Sequence, residues 1–263
     1  MALITLTSAS GSPGVTTTAI GLALCWPRPV LLVEADPTGG SGIAAGYLRG
    51  GAAPSDSLID LAFAHRDREL VEAIPTVTTT IPDTTVTLIL GTRAHGQARS
   101  LTGLWEPLAS ALRGLDALGQ DVIVDAGRLG LVGSSEPLIH GADLTLLVTR
   151  SDLVALSGAR SWAQTLRSQF EEQGAPDAIE LLMVGEGRPY STREVSAVLS
   201  LPVTAALAWD EAAAAVFSHG ESAPRRFQAS ALLRSMRSAT TAIQSRLAAN
   251  RAQLTAATPG GGS

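Results

Sequence analysis

Apolar residues run almost unbroken through seven short stretches: ITLTS (4–8), VLLVEA (30–35), VTLIL (86–90), DVIVDA (121–126), DLTLLVT (143–149), IELLMV (179–184) and VTAALA (203–208). A strand with one wet face alternates apolar and polar side chains, whereas a parallel strand covered on both faces is apolar at nearly every position. These runs therefore predict parallel strands. The stretches between them, 16–25, 57–73, 99–118, 134–141, 152–173, 191–199 and 210–218, carry apolar residues at helical spacing. Strand and helix in alternation predict an α/β fold: a doubly wound, mainly parallel sheet of about seven strands with helices on both faces. The threonine-rich stretch TVTTTIPDTT (76–85) fits either an extra edge strand or a loop. A last helix is expected over about 226–253, with Ala229, Leu232, Leu233, Met236, Ala239, Ile243, Leu247 and Leu254 largely on one stripe. The pattern gives a single domain over 1–255 and a flexible tail over 256–263.

Composition narrows this picture. A chain of 263 residues, 45% of them hydrophobic, can bury one large core. A lone cysteine, Cys25, rules out an intramolecular disulfide and suits a reducing compartment. No basic leader with an apolar stretch precedes the first strand, and no apolar run is long enough to span a bilayer, so a cytoplasmic protein is expected. His65, His95, His140 and His219 have no metal-ligand spacing.

Charge adds two features. All 19 basic residues are arginine, and lysine is absent. Six of those arginines (Arg225, Arg226, Arg234, Arg237, Arg246 and Arg251) follow Glu221, after which there is no acidic residue. The basic last helix either packs on the sheet or rests on anionic lipid or an acidic partner, peripheral at the inner face of the membrane. The acidic body and the lack of a helix-turn-helix pattern argue against specific nucleic-acid recognition.

In an open parallel sheet, ligands bind outside the carboxyl ends of the strands. After the first strand comes A-S-G-S-P-G-V-T-T (9–17). Glycines there let backbone N–H groups converge on a phosphate, and the following helix N-terminus favours an anion. Gly11, Ser12, Pro13, Gly14, Val15, Thr16 and Thr17 are the candidate cofactor-binding residues, with Thr16 a candidate Mg²⁺ ligand. The strict pattern G-x-x-x-x-G-K-[ST] fails, because Ala9 and Val15 replace its first glycine and its lysine. Alone, this stretch reads equally well as a glycine turn opening a helix. After the second strand, V-E-A-D-P-T-G-G (33–40) sends Glu34 and Asp36 off one face. The fourth strand ends in D-V-I-V-D-A-G-R (121–128), which places Asp125 at the site end with Arg128 close behind.

Taken in order, S-x-x-G-x-P-G-V-T-T-T-A, V-L-L-V-E-A-D-P, D-V-I-V-D-A-G and L-P-V-T-A-A-L-A-W-D resemble the motifs of the ParA/MinD group of deviant-Walker P-loop ATPases. The likeness runs from residue 3 to about 240. The departures point to its CpaE/TadZ branch, whose members help localise pilus machinery. The resemblance implies ATP and Mg²⁺ as cofactors, Asp36 as the hydrolytic aspartate, and Thr16, Asp36 and Asp125 around the metal. It puts the Walker lysine on Val15 and the signature lysine, which crosses a dimer interface, on Ser10. It also puts an adenine-contacting asparagine near Val184 or Gly185, where none stands. A lysine about 4 Å from a phosphate contributes roughly 4 kcal/mol at an effective dielectric of 20. The expectation is a positioning or assembly factor with a degenerate nucleotide site, acting as a homodimer or through a protein partner such as a pilus or secretion ATPase. The alternative is an active ATPase with a nucleotide-dependent monomer–dimer cycle, in which an arginine, Arg128 or Arg150, replaces the lysine.

Overall fold

The computed structural model describes residues 2–51, 57–115 and 119–257. Eight strands form one sheet: β1 (Leu3–Ser8), β2 (Val30–Glu34), β3 (Thr79–Thr80), β4 (Val86–Ile89), β5 (Asp121–Arg128), β6 (Leu144–Arg150), β7 (Ile179–Val184) and β8 (Val203–Leu207). Their order is β3-β4-β2-β5-β1-β6-β7-β8, and every pairing is parallel except β3 with β4. All seven expected strands are present. The eighth is the threonine stretch, where Ile81 N–H donates to the Val86 carbonyl and Asp83 takes a left-handed φ of 59°. That turn folds two residues back onto the sheet edge.

The unbroken apolar runs serve two cores. Leu3, Leu31, Val33, Val122 and Val124 face α3 (Ser57–Arg66), α4 (Leu70–Val77), α5 (Trp105–Gly114), α6 (Glu136–His140), α7 (Leu153–Glu172) and α8 (Thr192–Leu199). Their neighbours Ile4, Leu6, Val30, Leu32 and Ile123 face α1 (Val15–Cys25), α9 (Glu211–Ser218) and α10 (Ala231–Ala257). The helix expected over 57–73 is two helices, because Arg68 adopts a left-handed φ of 66° in the polar link between them. The helix expected over 99–118 is a 3₁₀ stretch, His95–Leu101, followed by α5. Residues 116–118 lie outside the described residues.

The basic last helix packs on the sheet. Leu232, Leu233, Met236, Ala239, Ile243 and Leu247 are all buried against α1 and the strands. A Cβ on Gly21 would overlap the Met236 thioether, so that glycine lets α1 and α10 close up. Farther along, Arg246 pairs with Asp177 at 2.9 Å and with buried Glu180, which also accepts from Thr204. Of the two placements the sequence left open for this helix, the structure shows packing on the sheet, with the apolar stripe buried in the core. The helix continues through Ala257 into the stretch expected to be tail. Residues 258–263 and the Leu254 side chain lie outside the described residues. No described helix is long and apolar enough to cross a membrane.

Candidate functional site

Connections from β1 to β5 run to one side of the sheet and those from β6 to β8 to the other. The crevice therefore opens at the carboxyl end of β1, where the glycine loop stands. Gly11 (φ 74°), Ser12 (φ 43°) and Gly14 (φ 95°) all take left-handed backbone, and Gly14 caps α1 without a side-chain bond. A serine is sterically disfavoured in that conformation, by roughly 1–2 kcal/mol, which the surrounding structure offsets. Pro13 is buried, and Thr18 N–H closes the first turn onto the Gly14 carbonyl at 2.8 Å. The loop thus keeps the shape that collects backbone N–H groups at a helix N-terminus.

The two positions where the resemblance puts lysines carry no charge here. Val15 does not point into the crevice: it is 7% exposed and packs in the core with α1 and the sheet. Ser10 lies against α7, where a Cβ on Gly158 would overlap its hydroxyl. Both positions on which the resemblance puts a lysine are thus packing contacts.

Three carboxylates gather beside the loop. Glu34 and Asp125 are register partners on β2 and β5, both buried. Asp125 accepts a hydrogen bond from the Thr16 side chain and from Gly127 N–H at 3.0 Å. Burial, with the charges of Asp36 and Glu34, outweighs those bonds and raises its pKa to about 7. Glu34 is also raised, chiefly by burial, and is already engaged by Ser41 Oγ at 2.5 Å, Ile43 N–H at 3.1 Å and Gly91 N–H at 3.3 Å. Asp36 accepts from the Thr38 N–H and hydroxyl at 2.8 and 2.7 Å. Its carboxylate lies on Gly127, where any side chain would overlap it. Thr16 is thus bonded to Asp125, and Asp36 lies beside them on Gly127. Glu34 turns away to fasten α2 (Gly42–Ala45) and the loop after β4.

Arg150 is the arginine that reaches the loop. Its Nη2 donates to the Ser12 carbonyl at 3.0 Å, and its guanidinium lies 5.1 Å from the centroid of Trp209. Arg188 lies over the same indole at 5.4 Å. Arg128 ends β5 opposite Ser8 with an exposed side chain. Trp209 is the residue that sequence reasoning missed. It stands two residues after β8, a strand that meets β6 only through β7, a neighbourhood the linear sequence does not display. Trp209 also roofs Gly185, where a Cβ would stand 3.4 Å from the ring. Gly185 and Val184 are the expected asparagine position, and Val184 lines a cleft of about 910 Å³ beside Pro13, Thr17, Arg150 and Trp209.

For Mg-ATP the fit divides. The loop backbone and Thr17 suit a phosphate, and Thr16 beside Asp125 suits a cation. Three acids with no lysine do not suit a triphosphate tail. Among the described residues no group of three or more His, Cys, Asp or Glu is arranged to hold a metal.

No protein-family model matches the sequence, and no curated protein matches it significantly. Solved structures do. The cell-division ATPase MinD of Pyrococcus furiosus superposes over 93% of this chain and 99% of its own, with a TM-score of 0.66 at 20% identity. MinD of Pyrococcus horikoshii, solved with Mg-ADP, covers 91% and 94% with a TM-score of 0.68 at 16% identity. A ParA family ATPase of Chlorobium tepidum covers 90% and 98% with a TM-score of 0.68 at 16% identity. The sequence motifs, the sheet order and these superpositions agree: the chain has the fold of the MinD/ParA P-loop ATPases.

Proposed function

We propose that this protein is a positioning or assembly factor of the ParA/MinD kind, on the CpaE/TadZ branch, whose nucleotide site is degenerate. The observation that carries the reading is Val15, an apolar side chain buried in the core where the fold's charged phosphate ligand belongs. With no lysine in the chain, none can be supplied from elsewhere. A phosphoryl-transfer site works by placing positive charge on oxygens that gain negative charge. This one offers Asp36 and Asp125 beside the loop, with Glu34 turned away to α2. Residual Mg-ATP binding through the loop backbone, Thr16 and Thr17 is compatible with the reading, and Mg-ADP and ATP are held by structural neighbours of the chain.

The working surface is then the rim of the loop. Val132 is 69% exposed on the loop after β5, and Leu153 and Val154 are 66% and 79% exposed in the first turn of α7, which follows β6; β5 and β6 are the two strands flanking β1. Bare aliphatic side chains on this rim suit a protein partner, such as a pilus or secretion ATPase, or a second copy of the chain. One neighbour, MinD of Aquifex aeolicus, was solved as a MinC:MinD complex. Titration calorimetry with ATP and Mg²⁺, followed by a turnover assay, tests the reading: weak or no binding and no turnover are expected. Turnover that Asp36→Ala abolishes would overturn it in favour of the arginine-assisted ATPase.

A further inference from the structure

The glycine loop has no lysine to organise it, and Ser12 sits there in a left-handed conformation. Isolated, such a loop has little reason to stay formed. The Arg150 guanidinium donates to the Ser12 carbonyl at 3.0 Å, which ties the loop to the end of β6. Arg150 itself is held in three ways. It ends β6, the direct neighbour of β1. Its guanidinium lies over the Trp209 ring. The next residue, Ser151, is tied to the loop after β7, donating to the Gly185 carbonyl at 2.5 Å and accepting from Arg188 N–H at 3.1 Å. Trp209 is fixed in turn by its indole N–H on Glu211 at 3.0 Å and by Arg188 over the ring.

We propose that Arg150, backed by Trp209, is the positioning residue that keeps the phosphate loop formed without a nucleotide. In this arrangement β6 and β8 do for the loop what a bound phosphate does elsewhere. Two residues beyond Ser151, Leu153 and Val154 open α7, whose Gly158 seats Ser10. The loop and the aliphatic rim therefore share one support and present the same face with or without ATP. This rests on the reading that the loop survives as backbone without its charges. ATP turnover tests that reading, loop protection tests this one, and each can fail alone.

The experiment is amide hydrogen exchange on the full chain, following the peptide that spans residues 9–17. In the native protein the segment is expected to be protected, with a less than twofold change on adding Mg-ATP. Arg150→Ala is expected to speed exchange there at least tenfold while β5 and β7 keep their protection, and Arg150→Lys restores part of it. Trp209→Ala repeats the effect more weakly, and Trp209→Phe, which keeps a ring face, largely spares it. Arg188→Ala, which touches the indole but not the loop, leaves residues 9–17 protected. Unchanged exchange in Arg150→Ala overturns the proposal. So does a native loop that becomes protected only with Mg-ATP, or an Arg188→Ala loop as exposed as that of Arg150→Ala. If Arg150→Ala loses protection throughout the chain, the Trp209→Ala and Trp209→Phe pair decides: equal exchange at 9–17 in the two overturns the proposal.

Discussion

Asp125 makes the crevice sensitive to pH in a direction opposite to that of a salt-bridged aspartate. Its carboxyl is 1% exposed, faces Asp36 and Glu34, and titrates at about 7 instead of the ordinary 3.8. In the unfolded chain the proton leaves near pH 4, whereas in the folded chain it stays until about pH 7. Between those values the folded state binds more protons, so this group makes stability fall as pH rises from about 4 to 7 and leaves it level above. That window is about three pH units wide, and at 1.36 kcal/mol per pH unit it amounts to about 4 kcal/mol, of which about 3 kcal/mol falls between pH 5 and pH 8. Glu34, raised by the same burial, adds in the same direction. Half-buried His140 is lowered and acts oppositely, costing stability as pH falls through its range. The comparison that isolates Asp125 is therefore native protein against Asp125→Asn. Asparagine keeps an acceptor for Gly127 N–H and needs no charge. Urea unfolding at pH 5, 6, 7 and 8 in chelator should show the native protein losing about 3 kcal/mol more than the variant across the series. Asp125→Asn should be the more stable of the two at pH 8. Parallel pH profiles would refute the argument, since they would mean that the carboxylate is solvated or already compensated.

Three other substitutions test neighbouring parts of the structure. Val15→Lys should tighten Mg-ATP binding by up to about a thousandfold in calorimetry, from roughly 4 kcal/mol of added attraction. It should also cost about 1–3 kcal/mol of stability for the lost valine packing; no gain in affinity would mean that charge is not what the loop lacks. Gly158→Ala should destabilise the protein by about 1–3 kcal/mol through its overlap with Ser10, and Ser10→Gly should restore most of that in thermal unfolding. An additive double variant would sink the packing account. Arg246→Ala strands buried Glu180 and should cost about 3–5 kcal/mol, with far less lost when Glu180→Met accompanies it; equal losses would show that the pair is not coupled.

The sheet was legible because a parallel strand between two helical layers has no polar face, so Leu31, Leu32 and Val33 read as one run although they enter different cores. What escaped was decided by single backbone angles. Arg68, left-handed, split a helix without a side chain that announces it, whereas Asp83 after Pro82 is a turn residue and the edge strand it makes was one of the two readings open for that stretch. At the site, Thr16, Asp36 and Asp125 could be placed together because each stands a fixed number of residues from the end of a strand. The arginine could not be chosen that way. Arg128 and Arg150 both end strands at the same edge, and only the neighbourhood of β6, β7 and β8 brings Trp209 under one of them.

The position of α10 also constrains how the chain can be made. It covers the face of the sheet that α1 and α9 leave open, and its contacts run from Leu232 to Leu247. Until residue 247 has left the ribosome, β8 and the outer side of α1 have no cover from α10, however complete the strands are. One half of the core can form during synthesis, and the other must wait for release of its last helix. A nascent chain stalled before that point would offer chaperones a broad greasy surface, and ribosome-bound chains ending at 224 and at 257 should differ sharply in protease resistance.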